Sequence, residues 1–524
     1  ALFGVELHTV NAAAFYNCRN CNAVFSKSKG VFNAVSCIER MNKIHIGIIL
    51  RILGILLCFE ALFMFIPTIV AFVYNEPDRW AFLLSSIVTL IIGGTLAYRL
   101  RNCRQSMGRR DGILLGTVVW IVFAMMGMLP FLSISNSFTD AIFETVSAVT
   151  TTGASIFKNI DYLPHGILLW RSILQWIGGI GIILFTVAVL PMLNHRGGMI
   201  LLSTEVSGIG QYKLSPRISH TAMKLWACYF IFTVVLCMLL YAGPMSLFDA
   251  ICHSLSTMAT GGFSTHNESI GYFHSAYIDY VITIFTFIGG INFAIIYRTV
   301  MSDHTFIFRT EQVKWYTNLI IVCTIVFTIG LYAQGTYGSI EQSFRNALFQ
   351  VCSVITSTGF STSNTLEWGS FYSLIMLLLM FFGACAGSTS GGAKIDRMVI
   401  LTKNARNEFN RVLYPNVIRP VLYNGKVLSH ETVSKILAFT IMYVIVWIMG
   451  AVILTLQGAN MGEAVYGSLS ALSNMGIGIG SDAGGFYSDI SLGAKWTLMA
   501  LMIIGRLEVF TAIIIFMPLF WKKS

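Results

Sequence analysis

Four short stretches of this 524-residue chain share one chemistry: Thr150-Thr151-Thr152-Gly153, Ala259-Thr260-Gly261-Gly262, Thr356-Ser357-Thr358-Gly359 and Ser473-Asn474-Met475-Gly476. Each leads small, mostly hydroxylated residues into a glycine. The chemistry such residues offer is backbone chemistry. A ring of loops can present carbonyl oxygens that replace the hydration shell of a cation, and glycine supplies backbone angles that other residues avoid. The simpler reading is that small residues allow helices to pack closely in a membrane. Fourfold recurrence in register favours the filter, so the first expectation is an ion-conducting membrane protein.

The elements that must position these loops follow from hydropathy. Each loop comes after an amphipathic run too short to cross a bilayer, and long apolar segments flank the pair. The unit is full span, short helix, glycine loop, full span, and it occurs four times; an internal repeat of this kind decides the fold. The full spans lie at 113–132 and 166–193, 221–242 and 276–300, 315–334 and 370–394, and 433–456 and 492–520. Two further spans, 45–73 and 79–100, come first, joined by Asn75-Glu76-Pro77-Asp78. Superposing the glycines aligns Asp140, Asp249, Asn346 and Glu463, and also Ser147, Ser256, Ser353 and Ser470. An acidic or amide residue opening each short helix suits the positive end of its dipole. The negative end then faces the loop and favours a cation. Irregular backbone at membrane depth survives only when buried in protein or lining water, a condition four loops around one axis satisfy together.

The expected fold is therefore an all-α membrane protein, with two leading transmembrane helices and four membrane–pore–membrane repeats around a pseudo-fourfold pore. The division read from the sequence is 1–40 as an N-terminal extension, 41–111 as the leading helices, and repeats at 112–197, 198–303, 304–410 and 411–524. Residues 1–40 differ in character from the rest and do not begin with Met; they read as an extension, a tag or an upstream-translated piece.

Composition agrees. The chain is 55% hydrophobic and 11% charged, with mean hydropathy +0.72, against roughly 25% charged residues in soluble domains. A net charge of +10 could suggest nucleic acid, but its distribution explains it otherwise. Arg101, Arg104, Arg109 and Arg110 fall in one loop; Arg196, Lys213 and Arg217, then Arg298, Arg309 and Lys314, and then the basic stretch 394–435 fall in loops on the same side. The opposite loops hold little beyond Arg79 and Lys158. This is the positive-inside pattern, and it places the core termini in the cytoplasm. The eleven cysteines form no disulfide or zinc framework, and Cys18 and Cys21 make a lone CxxC. No P-loop is present, and convergent catalytic groups at membrane depth are lacking, so neither an enzyme nor an organic cofactor is expected.

Gly-Phe-Ser-Thr recurs at 262–265 and 359–362, beside Gly289-Gly290-Ile291-Asn292-Phe293, Gly505-Arg506-Leu507-Glu508-Val509-Phe510-Thr511 and Leu214-Ser215-Pro216-Arg217. With these motifs the chain resembles the Trk/Ktr/HKT superfamily of potassium transporters, and the two leading helices make it resemble the bacterial membrane subunit. The resemblance covers everything from Met41 onward. It implies K+ as the transported ion, a homodimer in the bacterial inner membrane with one pore per subunit, and a cytosolic TrkA-like nucleotide-binding ring that controls gating. The fourth loop departs from the pattern, since Asn474-Met475-Gly476 lacks the Thr/Ser-Gly character.

The segment Gly383-Ala384-Cys385-Ala386-Gly387-Ser388-Thr389-Ser390-Gly391-Gly392 interrupts a span with residues that destabilise a helix interior. A kinked helix is the plain alternative; with the resemblance, the segment reads as an unwound gate beneath the filter. Lys394 follows as a tether or a snorkelling side chain. Arg506, inside the last span and two residues before Glu508, reads either as part of a structural ion pair or, as the resemblance implies, as a positive charge facing the pore below the filter. Glu60 is assigned to an interface or to packing, and His253 to a satisfied buried position. The stretches 394–435 and 194–220 are the expected docking surfaces for the ring. A proton- or sodium-coupled symporter is the competing function; it usually carries inverted repeats and buried acidic relays.

Overall fold

The computed structural model describes residues 44–103, 107–135, 137–181, 218–416, 419–477 and 485–522. The CxxC, the Leu214–Arg217 motif and residues 194–217 of the 194–220 surface lie outside the described residues. The principal helices are α1 (Ile46–Val73), α2 (Arg79–Arg99), α3 (Arg109–Gly127), α4 (Phe138–Val149), α5 (His165–Ile180), α6 (Ile218–Tyr241), α7 (Leu247–Met258), α8 (Ala276–Gly289), α9 (Phe293–Met301) and α10 (Glu311–Ala333). They continue with α11 (Ile340–Ile355), α12 (Ser370–Phe382), α13 (Ile395–Leu413), α14 (His430–Leu456), α15 (Met461–Leu472), α16 (Leu492–Arg506) and α17 (Val509–Phe516). Between α13 and α14 lies a hairpin, β1 (Leu422–Tyr423) paired antiparallel with β2 (Lys426–Val427). Among the described residues, six helices are long and apolar enough to cross a membrane, or eight if two bent pairs count as one span each.

The outward faces of the long helices are apolar: Leu62, Ile69, Leu84, Ile231, Ile329, Ile441 and Val452 are all exposed. In water such a surface would be costly; against lipid it is the expected composition. The polar residues are turned inward, so that Thr145, Ser147, Gln175, His253, Ser256, Gln350 and Ser470 are buried.

Four short helices, α4, α7, α11 and α15, carry the glycine loops. Ser137, Ser246 and Ser339 cap the first three, each accepting from the N–H three residues on, and Asn460 forms a capping box with Glu463. A lost cap of this kind costs about 1 kcal/mol. The third helix begins earlier than its alignment suggests. Its first turn carries Glu341, and Asn346 lies in the interior, where its amide donates to Gln342 O at 3.0 Å. Asn346 therefore does not open the helix; the serine three residues before the N3 position is the stronger start signal.

The second spans correct the expectation of continuous helices. The span expected at 276–300 is α8 and α9, bent by 99° at Gly290-Ile291-Asn292, and that at 492–520 is α16 and α17, bent by 114° at Leu507-Glu508. The third is broken between Phe382 and Ile395, and α5 ends at Gly181 with φ +82°. Close approach supplies the reason. A Cβ on Gly178 or Gly505 would collide with the carbonyl of Val149 or Leu472, at the ends of the adjacent short helices. Gly178 and Gly505 thus press directly on short-helix C-termini; the part of the expected 166–193 span beyond Gly181 lies outside the described residues.

Candidate functional site

The four loops adopt one backbone path. Thr150, Ala259, Thr356 and Ser473 have φ between −72° and −85°. Thr151, Thr260, Ser357 and Asn474 are left-handed at +58°, +50°, +51° and +54°, and Gly153, Gly262, Gly359 and Gly476 are left-handed at +80°, +79°, +86° and +75°. The intervening Thr152, Gly261, Thr358 and Met475 are right-handed or extended. A backbone that alternates in hand turns successive carbonyls toward one side. Each short helix ends in the Schellman pattern: the N–H groups of Thr152, Gly261, Thr358 and Met475 donate to the carbonyls of Ser147, Ser256, Ser353 and Ser470 at 2.8–2.9 Å. The four register positions thus supply the same backbone acceptor in every repeat. The fourth loop, atypical in sequence, has the same geometry.

The glycines close a ring. A Cβ on Gly153 would strike the carbonyl of Gly261; on Gly262, that of Thr358; on Gly359, that of Met475; and on Gly476, that of Thr152. Each loop thus presses a bare Cα against the next loop's carbonyl, in cyclic order 1–2–3–4–1. Positive φ and lack of room both demand glycine at these four positions. The negative ends of the helix dipoles converge on the same ring. Among the described residues no cluster of His, Cys, Asp or Glu could ligate a metal ion; the ring offers carbonyl oxygens instead.

Non-glycine residues in the left-handed region cost on the order of 1–3 kcal/mol each, and their side chains show a use for the strain. The Thr260 hydroxyl lies 3.2 Å from the Thr389 hydroxyl, and the Ser357 hydroxyl accepts the Gly391 N–H at 2.6 Å. Asn474 donates to Met502 O at 2.9 Å and to the Thr152 hydroxyl at 3.1 Å. Two of these residues therefore grip the segment 383–392, which is non-helical, with Gly383, Gly387 and Gly392 all at positive φ. The second repeat supplies further partners. Cys385 N–H donates to Gly290 O at 3.1 Å and Asn292 donates to Ala386 O at 2.7 Å, so the bend after α8 holds it. The Thr389 hydroxyl reaches Met258 O and Gly289 O at 3.2 and 3.3 Å, and Ser388 bonds back to Cys385 O. Lys394 donates to Ser390 O inside the loop, as a tether does.

Arg506 spans the gap from the other side. It donates to Thr389 O at 3.0 Å, to Gly179 O at 3.0 Å and to Gly178 O. The carboxylate of Glu508 pairs with Arg397 at 2.8 Å. His253 is satisfied, with Asp249 O at 2.8 Å and the Ser264 hydroxyl at 3.0 Å. Glu60 is not interfacial: it is fully buried, beside Gly127 and Thr145.

Behind the ring stand residues that sequence reasoning missed. Arg171 Nε meets Glu144 Oε1 at 2.8 Å, both fully buried. Glu144 also accepts from Ser155 and from Ile156 N–H, while Arg171 donates to the Ser155 hydroxyl at 3.1 Å and lies 4.0 Å over the Phe263 ring. One turn on, Gln175 donates to Gly261 O at 2.6 Å and accepts from Ser256 at 2.6 Å. The available signal was an Arg and a Gln at i, i+4 on one face of an apolar span.

On the face opposite the basic loops, His266 links two loops. Its Nδ1 is 3.0 Å from Asp161 Oδ1, its Nε2 is 3.7 Å from Asp249 Oδ1, and its ring stacks on Tyr272. Burial opposes the charged ring, but the two carboxylates outweigh it and raise the His266 pKa above its ordinary value.

The family model described as TrkH, cation transport protein, matches residues 79–523. The chain is 36% identical over 484 residues to the Trk system potassium uptake protein TrkH of Escherichia coli K12, covering 91% of this chain and all of that one. It is 32% identical over 490 residues to the Trk system potassium uptake protein TrkG of the same organism, covering 92% of this chain and all of that one. The crystal structure of the potassium transporter TrkH from Vibrio parahaemolyticus superposes with TM-score 0.82 at 32% identity, covering 91% of this chain and all of that one.

Proposed function

The chain belongs to the TrkH family of cation transport proteins, and from that membership we propose that it takes up potassium through a gated, channel-like pore lined by the four glycine loops. The observation that carries the reading is the cyclic contact among Gly153, Gly262, Gly359 and Gly476, which surrounds one axis with carbonyl oxygens. Inward movement of one cation gains about 2.3 kcal/mol per 100 mV of potential, so accumulation needs no chemical step. The segment 383–392 is the gate, lying under the filter with Arg506 bonded to it. Flux begins when the loop leaves Thr260, Ser357 and Arg506. The basic loops face the cytoplasm of the bacterial inner membrane, and a cytosolic nucleotide-binding subunit docks on 394–435 of a homodimer. The names of the relatives, Trk system potassium uptake proteins, support the ion and the existence of a multi-component system.

The test is ion flux into liposomes that hold the purified protein under a clamped potential. Flux should follow the electrochemical gradient and favour K+ over Na+. Gly262→Ser and Gly359→Ser, at φ +79° and +86° against neighbouring carbonyls, should lower that preference at least tenfold. Unchanged preference in both variants removes the filter assignment. Flux that demands a proton or sodium gradient replaces the channel with a coupled symporter.

A further inference from the structure

The loop taken as the gate has an anchor outside the pore. Asp396, the second residue of α13, is 2% exposed, and its two oxygens bond different segments. Oδ2 accepts the Ala386 N–H of the loop at 2.6 Å. Oδ1 accepts the hydroxyl of Tyr423, the last residue of β1. A single buried carboxylate therefore joins the loop backbone to the hairpin on the basic face. Bonds to a carboxylate are the strong class of hydrogen bond, and an ion with both oxygens engaged has little freedom to turn.

The hairpin itself is stiff and clipped in place. Its turn runs Tyr423-Asn424-Gly425-Lys426 with Asn424 at φ +48° and Gly425 at +74°, the Asn-Gly geometry of a tight two-residue turn. Asn424 Oδ1 accepts the Glu311 N–H at 2.8 Å, at the start of α10. Lys403 of α13 bonds both the Glu311 carboxylate and Leu422 O, the latter at 2.9 Å. The outer positions Leu422 and Val427 are 47% and 64% exposed. The hairpin is thus accessible on one side and rigidly connected to the loop on the other.

We propose that Tyr423 and Asp396 are positioning residues that hold the gate loop through Ala386, so that displacing the hairpin by a docked cytosolic protein releases the gate. This rests on the reading of 383–392 as the gate. When the hairpin moves, Oδ1 loses the Tyr423 hydroxyl and keeps only the amide of Gln312 on α10, so the carboxylate is free to shift and its hold on the Ala386 N–H weakens. Arg397, next in sequence, carries the same movement to the last repeat, because it pairs with Glu508 and covers the Phe439 ring at 3.7 Å.

The experiment compares Tyr423→Phe, Asp396→Asn, the double variant and a loop-shortened variant lacking residues from 383–392. Each full-length chain is reconstituted without any cytosolic subunit. Tyr423→Phe keeps the ring and removes one hydroxyl, so both single variants should raise basal K+ flux about three- to tenfold. K+/Na+ preference should stay unchanged, and the double variant should add nothing further. Amide exchange of peptides covering 383–392 should quicken in Tyr423→Phe, a readout that does not require flux. Unchanged flux and exchange in both single variants, with raised flux on loop shortening, overturns the relay and leaves the gate standing. If loop shortening also leaves flux unchanged, the gate reading falls and the relay with it.

Discussion

Replacing Arg506 with methionine should open the resting pore. The guanidinium makes three backbone bonds, to Thr389 O at 3.0 Å, Gly179 O at 3.0 Å and Gly178 O. The bonds to Gly178 and Gly179 hold the side chain to the end of α5, outside the loop. Of the three, the Thr389 bond is the one that favours the closed loop. A hydrogen bond from a charged donor contributes about 1.5–3 kcal/mol. Water in the pore can solvate the abandoned Thr389 carbonyl, so no further penalty is added. At tenfold per 1.4 kcal/mol, the closed-to-open ratio falls roughly ten- to a hundredfold. Removal of a positive charge below the filter acts in the same direction on a cation. The assay is K+ uptake by liposomes bearing the subunit alone at a fixed potential, with Na+ uptake measured in parallel to establish an intact filter. Basal flux within about twofold of the unaltered protein, at unchanged preference, would refute the assignment of Arg506 as a gate latch.

Two further outcomes are expected. Glu144→Gln strands the buried Arg171 charge and should destabilise the protein by about 3–5 kcal/mol, seen as a lowered Tm in detergent; Glu144→Gln combined with Arg171→Met should recover part of the loss, and a double variant no better than either single would count against the pair. The His266 clamp should weaken as pH rises: its folded pKa is raised above the ordinary value of about 6.5, so its stabilisation is full below about 6.5 and is lost as pH climbs through the folded value. A pH series of Tm from 5.5 to 9 should show a decline that His266→Gln removes, and parallel curves would assign the clamp no role.

The positions of the four left-handed loop glycines, the four short helices and the non-helical segment 383–392 were legible in the sequence, because each depends on local physics. A left-handed turn that ends a helix needs a glycine or a small polar residue within a few positions, and a segment such as Gly387-Ser388-Thr389-Ser390-Gly391-Gly392 cannot remain helical inside a span. The bends at Ile291-Asn292 and Leu507-Glu508 were not legible. Glycines lie tight against neighbouring elements there, Gly290 against Tyr316 and Thr356 and Gly505 against the Leu472 carbonyl, and a lone Gly within an apolar run does not reveal what it will touch. Helix starts were only partly so, since Asn346 matched the alignment while Ser339 supplied the cap.

Contacts between distant residues belong to the tertiary structure alone. Glu144 and Arg171 sit on different helices, Asp396 on a helix meets Ala386 of a loop and Tyr423 of a strand, and no short-range pattern pairs them. The partners of Arg506 were open in one dimension; in the fold its guanidinium bonds three backbone carbonyls from two other repeats, while Glu508 pairs with Arg397. Sequence by itself established that four short loops, each flanked by apolar spans, could offer oxygens to a cation, because composition and periodicity are properties of the chain. Only the fold established that each glycine is pressed against the next loop's carbonyl in a closed cycle, because a ring is a relation among four segments about a hundred residues apart and exists only when the helices that carry them have packed.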